Sequence, residues 1–373
     1  MTARATIIGI GEADGGRRTG RSGVELGAEA ALRAVADAGL TLDAVDGLLV
    51  ESPDVEQHHM AHLALADALA WRPRFATSTG CGGATPFANV ILAAAALEAG
   101  LAERILVVDY DARQTRRNAD PAQRMARTAG HKNPWEDPYG PVTAAKFALI
   151  ARAHMERFGT TREQLAAITV RARQQGARRP GAQLRTPVSL EEVLASPPIA
   201  EPLHVLDCCV VSDWGSALLL AHAAHGRGRA VDVLGFGQGH QGYAITRAPD
   251  LTAFPGIAES GRLAYEMAGV GPADVDVALL YDSFTITLLI AYENLGFCPI
   301  GEGGKYASGE LPVNPHGGQL SYSGGHGHFL TEAVRQLRGE APSGQVPGAR
   351  VALCHGSAAA VLSSYTVILG PPG

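Results

Sequence analysis

The sequence predicts an α/β fold in which one strand–helix unit is used twice. Three observations lead there. A strand–helix–strand pattern in the first half recurs in the second with the same punctuation. Glycine-rich turns close the predicted strands, and the chain carries 45 glycines among 373 residues. Finally, 46% hydrophobic against 18% charged residues supplies apolar side chain for a large core, enough for two domains or one duplicated unit.

The elements follow in order. RATIIGIGEADGG reads as a strand entering a Gly-x-Gly turn. VELGAEAALRAVADAGL has helical spacing and stops at Ala-Gly, and TLDAVDGLLVE approaches a buried strand. TGCGGATPFANVILAAAALEAGLAERILVVDYD then reads as glycine loop, helix and strand. The later segments RAVDVLGFGQGH, GIAESGRLAYEMAGV and GPADVDVALLYD repeat the first set, and QLSYSGGHGHFLTEAVRQLRGEAPSGQVPGARVALCHG repeats the second. The expected halves are 1–225 and 226–373. The extra length of the first half, about 112–202, is rich in Arg and Pro and has a helical pattern at Val142–Arg157. It reads as an inserted loop subdomain of the kind that covers a substrate.

Composition excludes several functions. The formal net charge is -6 and no dense Lys/Arg run occurs, which argues against nucleic acid. The longest apolar stretches, such as Ile91–Leu97, are too short to span a bilayer. MTARATIIGIGE enters a strand pattern directly, so no signal peptide is expected and the location is read as cytoplasmic. Five cysteines without a CxxC pair suggest neither a disulfide framework nor zinc. Gly9-Ile10-Gly11 lacks the third glycine of a dinucleotide fingerprint, and no acidic residue clearly takes the ribose position, so it reads as a tight turn. His58, His59 and His62 have helical spacing that can hold a metal; with no second ligand cluster, no metal is expected. Cys208 and Cys209 read as core. Arg116, Arg117, Arg124 and Arg127 are candidates for CoA phosphates, a solvated face being the default.

Four pieces point to a family: TGCGGATPFANVILAAAALEAG, LHVLDCCVVSDWGSALLLA, YDSFTITLLIAYENLGFCPIGEGG, and VNPHGGQLS with EAVRQLRG and LCHGSAAAVL. In them the sequence resembles the thiolase superfamily, and within it the sterol-carrier-protein-type thiolases, over nearly the whole chain. The resemblance implies a duplicated thiolase fold of five layers, α/β/α/β/α, an obligate homodimer, and an acyl-CoA substrate whose CoA is the one cofactor-like group. It also implies a nucleophilic Cys at a helix N-terminus, where the helix dipole and a neighbouring His lower its pKa. Counting back from Gly100, that position falls on Gly83, and Cys81 stands two residues upstream. The family Gly-His-Pro turn is absent, and its His position falls on Gly324. Tyr281 replaces the family Asn or His, whereas the late Cys-x-Gly is kept as Cys354-His355-Gly356. This combination resembles a smaller branch, the thiolase-like aldolases of steroid side-chain degradation, often named lipid-transfer proteins. Those cleave a β-hydroxyacyl-CoA by retro-aldol chemistry and work with a small OB-fold, zinc-ribbon partner protein. In that branch a tyrosine stands at the position of Tyr281 and a second at the position of Gly324, where this sequence departs; His326-Gly327 matches.

Retro-aldol cleavage needs a base for the β-hydroxyl and stabilisation of a thioester enolate, but no acyl-enzyme. Gly83 and Gly356 are the candidate backbone N–H donors, the first at a helix N-terminus with its missing side chain expected to leave room for a bulky substrate. Tyr281 is the candidate acid/base. Its phenol, with an unperturbed pKa of about 10, would need a neighbour among His326, Tyr322, His355 and Asp282. Cys354 is a candidate proton shuttle and Cys81 a pocket-lining thiol. Two alternatives remain at this stage: an acyltransferase using Cys81 or Cys354, and a silent subunit that binds acyl-CoA or lipid.

Overall fold

A computed structural model describes residues 5–53, 60–115, 136, 143–223 and 228–372. The first half runs β1 (Ala5–Glu12), α1 (Gly23–Asp37), β2 (Gly47–Glu51), α2 (Ala61–Ala68), β3 (Phe75–Thr79), α3 (Thr85–Glu98) and β4 (Arg104–Ala112). A Ser22–Glu25 capping box opens α1, satisfying orphan amides at its start. The insertion supplies α4 (Thr143–Phe158), α5 (Arg162–Arg178), α6 (Leu190–Leu194) and the short pair β5 (Pro198–Ala200) and β6 (Leu203–His204), before β7 (Asp213–His222). The second half contains β8 (Val231–His240), α7 (Pro255–Ala268), β9 (Val277–Leu280), α8 (Thr285–Asn294), α9 (Gly318–Ser321), α10 (His328–Arg338), β10 (Ala352–Ala358) and β11 (Ser363–Gly370).

Among the described residues nine strands form one sheet in the order β3-β2-β4-β7-β1-β8-β11-β10-β9. Read outward from its centre, the run β1, β7, β4, β2 mirrors β8, β11, β10, β9. In each half the two outermost strands of the mirrored set are parallel and the inner ones antiparallel. The seam is short: among the described residues only Thr6 with Asp232 and Ile7 with Val231 pair across it.

Folding the two half-sheets over each other buries α3 and α10 between them. Phe87, Val90 and Ala94 of α3 meet Phe329, Leu330 and Val334 of α10, with Ile105 and Leu218 from one half-sheet and Leu279 and Val367 from the other. Outside the first half-sheet, Ala30, Ala34 and Val35 of α1 cover Leu48, Leu106 and Leu219. Outside the second, Ile257 of α7 and Leu288 and Leu289 of α8 cover Ala278, Leu280 and Ile368; Phe147 of α4 and Ile168 of α5 extend that core. The five layers expected from the sequence are therefore present. The Gly-x-Gly pairs have a packing reason. A Cβ at Gly11 would sit 2.2 Å from the Ala30 carbonyl of α1, and one at Gly237 2.2 Å from the Ser260 carbonyl of α7. They let a helix lie directly on its strand. Among the described residues no helix is long and apolar enough to cross a membrane.

One ion pair ties the halves together across the middle layer. Glu12, at the end of β1, accepts from Arg335 of α10 at 2.7 Å and from the hydroxyls of Thr331 and Tyr322. Burial alone would raise the Glu12 pKa, but Arg335 and the hydroxyls outweigh it and hold the carboxyl at about 2 instead of 4.5. A depressed carboxylate pKa stabilises the fold at neutral pH, and that stabilisation is lost as pH falls from about 5 toward 2. The shift corresponds to roughly 3 kcal/mol. Glu12→Gln is expected to lower unfolding stability at pH 7 by about that amount and to flatten its decline between about pH 5 and 2, as read from denaturant titrations at a series of pH values.

Candidate active site

The site forms where strand ends and helix starts converge, at the carboxyl ends of the parallel strands. β2 ends on Glu51, β4 carries Asp109 near its end, and β9 runs directly into Tyr281. Two glycine loops close over them: 80–84, leading into α3, and 323–327, leading into α10.

The first loop is drawn tight by Thr85, whose hydroxyl accepts from the Cys81 N–H at 2.9 Å and donates to the Gly82 carbonyl at 2.6 Å. Gly82 takes a left-handed φ of 55°. Gly83 follows in a single 3-10 turn, Gly82–Ala84, that opens α3. A Cβ on Gly83 would lie 2.5 Å from both the ring carbon Cζ and the hydroxyl oxygen of Tyr281. The space left by the missing side chain is therefore filled by the phenol. The expectation that it gives room to a bulky substrate is corrected: the glycine makes room for Tyr281.

Tyr281 packs its ring 5.9 Å from His326 and 6.3 Å from Phe329, centroid to centroid, and its backbone N–H donates to the His355 carbonyl at 3.0 Å. Burial pushes the phenol well above its usual pKa, reinforced by the nearby Cys209 and Glu51 and opposed by Arg113 and a hydrogen bond with Ser283. At neutral pH it is a protonated donor.

His326 is fully enclosed. Its Nδ1 lies 3.3 Å from each oxygen of the Glu51 carboxyl, and its backbone N–H donates to Asp109 Oδ2 at 3.0 Å. The same oxygen accepts from the Gly327 N–H at 2.7 Å. A carboxylate oxygen of Glu51, one of Asp109 and a ring nitrogen of His326 all lie within 4.8 Å of one another. Burial would raise the Asp109 pKa, but a hydrogen bond from Glu51, the charge of His326, and the N–H groups of Trp214 and Gly327 lower it below the usual range. Trp214 lies 5.5 Å from the His326 ring, and Arg113 stacks on its indole at 4.8 Å.

Other residues expected in the site are placed elsewhere. His355 points to the outer face of the second half-sheet, where its Nδ1 meets Thr366 at 3.0 Å and burial lowers its pKa to about 3. Strand alternation turns it away from its neighbour Cys354. Cys354 does face the middle layer, but it is wholly enclosed, with its thiol 3.9 Å from the Phe329 carbonyl and its pKa pushed far up by burial. Gly356 lies inside β10, where a Cβ would collide with Phe87 at 2.3 Å. Asp282 is buried behind Tyr281 and accepts from the Gln319 N–H at 2.7 Å, fastening the start of α9. Burial pushes its pKa up to about 7, against the pull of the Gln319 and Leu320 amides and Asn314. Tyr322 turns to Glu12 and packs edge-on against His316 and His328. Cys81 is half-buried and receives the Tyr365 hydroxyl at 3.6 Å. At Gly324 a Cβ would lie 2.5 Å from the Val210 carbonyl, so no side chain fits there; beside it, Trp214 fills the space over Gly325. Cys208 joins the core as expected, while Cys209 stands near enough to Tyr281 and Arg113 to share their electrostatics. His62 is held by Ser78 at 2.7 Å. His58, His59, Arg116, Arg117, Arg124 and Arg127 lie outside the described residues.

Glu51, Asp109, Arg113 and Trp214 are residues that sequence reasoning missed. The first two had a legible signal: an acidic residue at or near the end of each predicted parallel strand, in LLVE and VVDYD. Trp214 and Arg113 had none, because their meeting depends on β7 lying beside β4.

Residues 237–371 match the family model described as "Thiolase C-terminal domain-like". Over 91% of this chain and 92% of the relative, it is 36% identical to "17-hydroxy-3-oxo-4-pregnene-20-carboxyl-CoA lyase" of Mycobacterium tuberculosis. The chain belongs to the thiolase superfamily. It is also 34% identical to the "Steroid side-chain-cleaving aldolase" of Thermomonospora curvata, over 91% of each chain. A solved structure described as "Ltp2-ChsH2(DUF35) aldolase" superposes with a TM-score of 0.87 at 31% identity, covering 100% of this chain and 98% of that one. Within the superfamily this chain is a thiolase-like carbon–carbon lyase of the retro-aldol type, with the acyltransferases as more distant relatives.

The Gly83–Tyr281 contact has a direct consequence. Gly83→Ala forces the phenol or the loop to move and is expected to destabilise the chain by about 1–3 kcal/mol. In a Tyr281→Ala background the same substitution should cost little, a coupling readable from thermal unfolding of the double-mutant cycle. Gly83→Cys is expected to gain no thiolase activity, because the new side chain competes with Tyr281 for one volume.

Proposed function

We propose that the substrate is a β-hydroxyacyl-CoA with a steroid-derived acyl group, cleaved with Tyr281 as general acid and His326 as general base. The observation that carries this reading is the Tyr281 phenol standing in the volume that a side chain at Gly83 would need, beside the N-terminus of α3. A group there can act on the thioester end of a substrate without becoming acylated.

The steps balance. His326 takes the proton of the β-hydroxyl as its C–O bond becomes a carbonyl. The Cα–Cβ bond breaks and its electron pair passes into the thioester enolate. The Gly83 N–H at the start of α3 is the donor assigned to the enolate oxygen, with the positive end of the helix behind it. Tyr281, held neutral by burial, donates its proton to Cα. A ketone and a shortened acyl-CoA leave, and the proton on His326 restores Tyr281. Nothing is oxidised or reduced, so the proposal requires no cofactor beyond the substrate's CoA. Cys81 and Cys354 take no covalent part.

Two partners belong to the same reading. The similarity to relatives named for steroid lyases, one of them described together with a DUF35 partner, supports a small OB-fold, zinc-ribbon protein working with this chain in the cytoplasm. A homodimer is supported by β3, an uncharged strand at one end of the sheet, and by exposed Leu63 and Leu92 at 46% and 37%. Leu63→Glu with Leu92→Glu is expected to yield a monomer by light scattering.

The decisive test is mass spectrometry of acyl products and intact protein after incubation with a panel of β-hydroxyacyl-CoA and β-ketoacyl-CoA thioesters, in the presence of the zinc-ribbon partner. The expected result is a shortened acyl-CoA plus a ketone with no mass added to the chain. Tyr281→Phe should lower kcat by at least about 100-fold, while Cys81→Ala leaves it within about twofold. An acyl adduct on Cys81 would overturn the assignment.

A further inference from the structure

The glycine loop before α10 is held by a residue of the insertion. Beyond α5, Gln183 and Leu184 run alongside the start of that loop. Their N–H groups donate to the carbonyls of Tyr322 and Ser321 at 2.9 and 3.0 Å, and the Ser321 hydroxyl donates to the Leu184 carbonyl at 2.7 Å. The Gln183 side chain reaches on to a third segment, the strap 208–212 before β7. Its Oε1 accepts from the Ser212 hydroxyl at 2.6 Å and its Nε2 donates to the Val211 carbonyl at 3.0 Å. Ser212 is fully buried, and its hydroxyl oxygen accepts from the Gly324 N–H at 2.9 Å. Loop and strap meet backbone to backbone, since a Cβ on Gly324 would lie 3.2 Å from the Ser212 nitrogen as well as against the Val210 carbonyl. Gln319 ties them again: its Nε2 donates to the Gly324 and Gly325 carbonyls at 3.1 and 2.8 Å, and its own carbonyl accepts from the Val210 N–H at 2.9 Å.

We infer that Gln183 is a positioning residue for the cleavage: from the insertion, through Ser212, it fixes the Gly324 amide and with it the loop that carries His326. The bonds run in one direction. A serine hydroxyl has a single proton, and with the Gly324 N–H on its oxygen that proton goes to an acceptor. Gln183 Oε1 is the acceptor, which turns the other end of the amide to the Val211 carbonyl. A methionine at this position has nearly the same length but leaves the buried Ser212 hydroxyl without its acceptor, a loss that packing does not replace. Ser212 then turns its proton elsewhere, and its hold on Gly324 weakens. Two residues beyond Gly324, the His326 ring stands 5.9 Å from that of Tyr281, so a shift of the loop separates the two groups. The insertion and the loop thus form one unit, and Gln183 acts through the loop, not on the substrate. The inference rests on the retro-aldol reading above.

The test has two arms. In the first, amide hydrogen exchange is followed by mass spectrometry on the full chain. The peptide covering 321–328 is expected to exchange at least about fivefold faster in Gln183→Met and in Ser212→Ala, while peptides of the outer helices α1 and α7 keep the wild-type rate. In the second, kinetics are measured with the zinc-ribbon partner and a β-hydroxyacyl-CoA that the wild type cleaves. Gln183→Met should lower kcat about 10- to 100-fold with KM within about twofold. Gln183→Glu, which keeps an acceptor for Ser212, should recover most of that loss. In a Ser212→Ala background Gln183→Met should cost little more, because both substitutions cut one chain of bonds. The inference is overturned if exchange of the loop peptide is unchanged in both single variants, if Gln183→Met raises KM and spares kcat, if Gln183→Glu is as damaged as Gln183→Met, or if the two losses multiply in the double variant. Failure of the wild type to cleave any β-hydroxyacyl-CoA would instead sink the reading on which the inference stands, whereas unchanged exchange in a chain that does cleave would sink the inference alone.

Discussion

The contact between Gly83 and the phenol of Tyr281 is the constraint on which the rest of the site depends. Two elements distant in sequence compete for one side-chain volume at the start of a buried helix, and only one of them can have a side chain there. With the phenol in place, the helix N-terminus faces a protonated donor instead of a thiolate. Its enclosure by Phe329 and His326 keeps it neutral. The protonation state of Tyr281 thus follows from packing.

The fold brings the parts together through its middle layer. Helices α3 and α10 are buried between two half-sheets, so the loops leading into them open at the same end of the sandwich. There they meet the carboxyl ends of β2, β4 and β9. A second set of buried polar groups stiffens the loop before α10. His328 Nε2 donates to the Ser323 carbonyl at 3.1 Å, which leaves its Nδ1 to accept from His316 Nε2 at 2.7 Å. Burial, with the His328, Arg179 and Arg335 charges, lowers the pKa of His316 far below its usual value; burial and the charge of His326, opposed by Glu12 and Asp109, lower that of His328 to about 4, so both rings are neutral and this arrangement of protons is the stable one. His328 therefore serves as a strut, while His326, two residues away, stands against the carboxyl groups of Glu51 and Asp109.

Much of this was legible in the residues themselves. Periodicity and punctuation give the order of strands and helices, because hydrophobic spacing of 2 or 3.6 and a terminal glycine act locally. The repeat shows that the fold is duplicated, and the motif comparison placed a glycine at the helix N-terminus and a tyrosine after the strand, though not their contact. Strand alternation around Cys354-His355-Gly356 was readable in principle, yet which face was inner depended on what covers each side. His355 went outward under α7, and Cys354 inward into a sealed core.

The sequence by itself determined the element types, the doubling of the unit and the identity of the groups that can do chemistry, since these follow from local pattern and composition. Only the tertiary structure decided that Tyr281 fills the space of Gly83, that Glu51 and Asp109 stand behind His326, and that Trp214 covers Gly325. Each of those contacts joins residues far apart in the chain, and each depends on which strands become neighbours and how closely a helix rests on them. Pairing of that kind is set by the packing of whole layers, and no local window of sequence contains it.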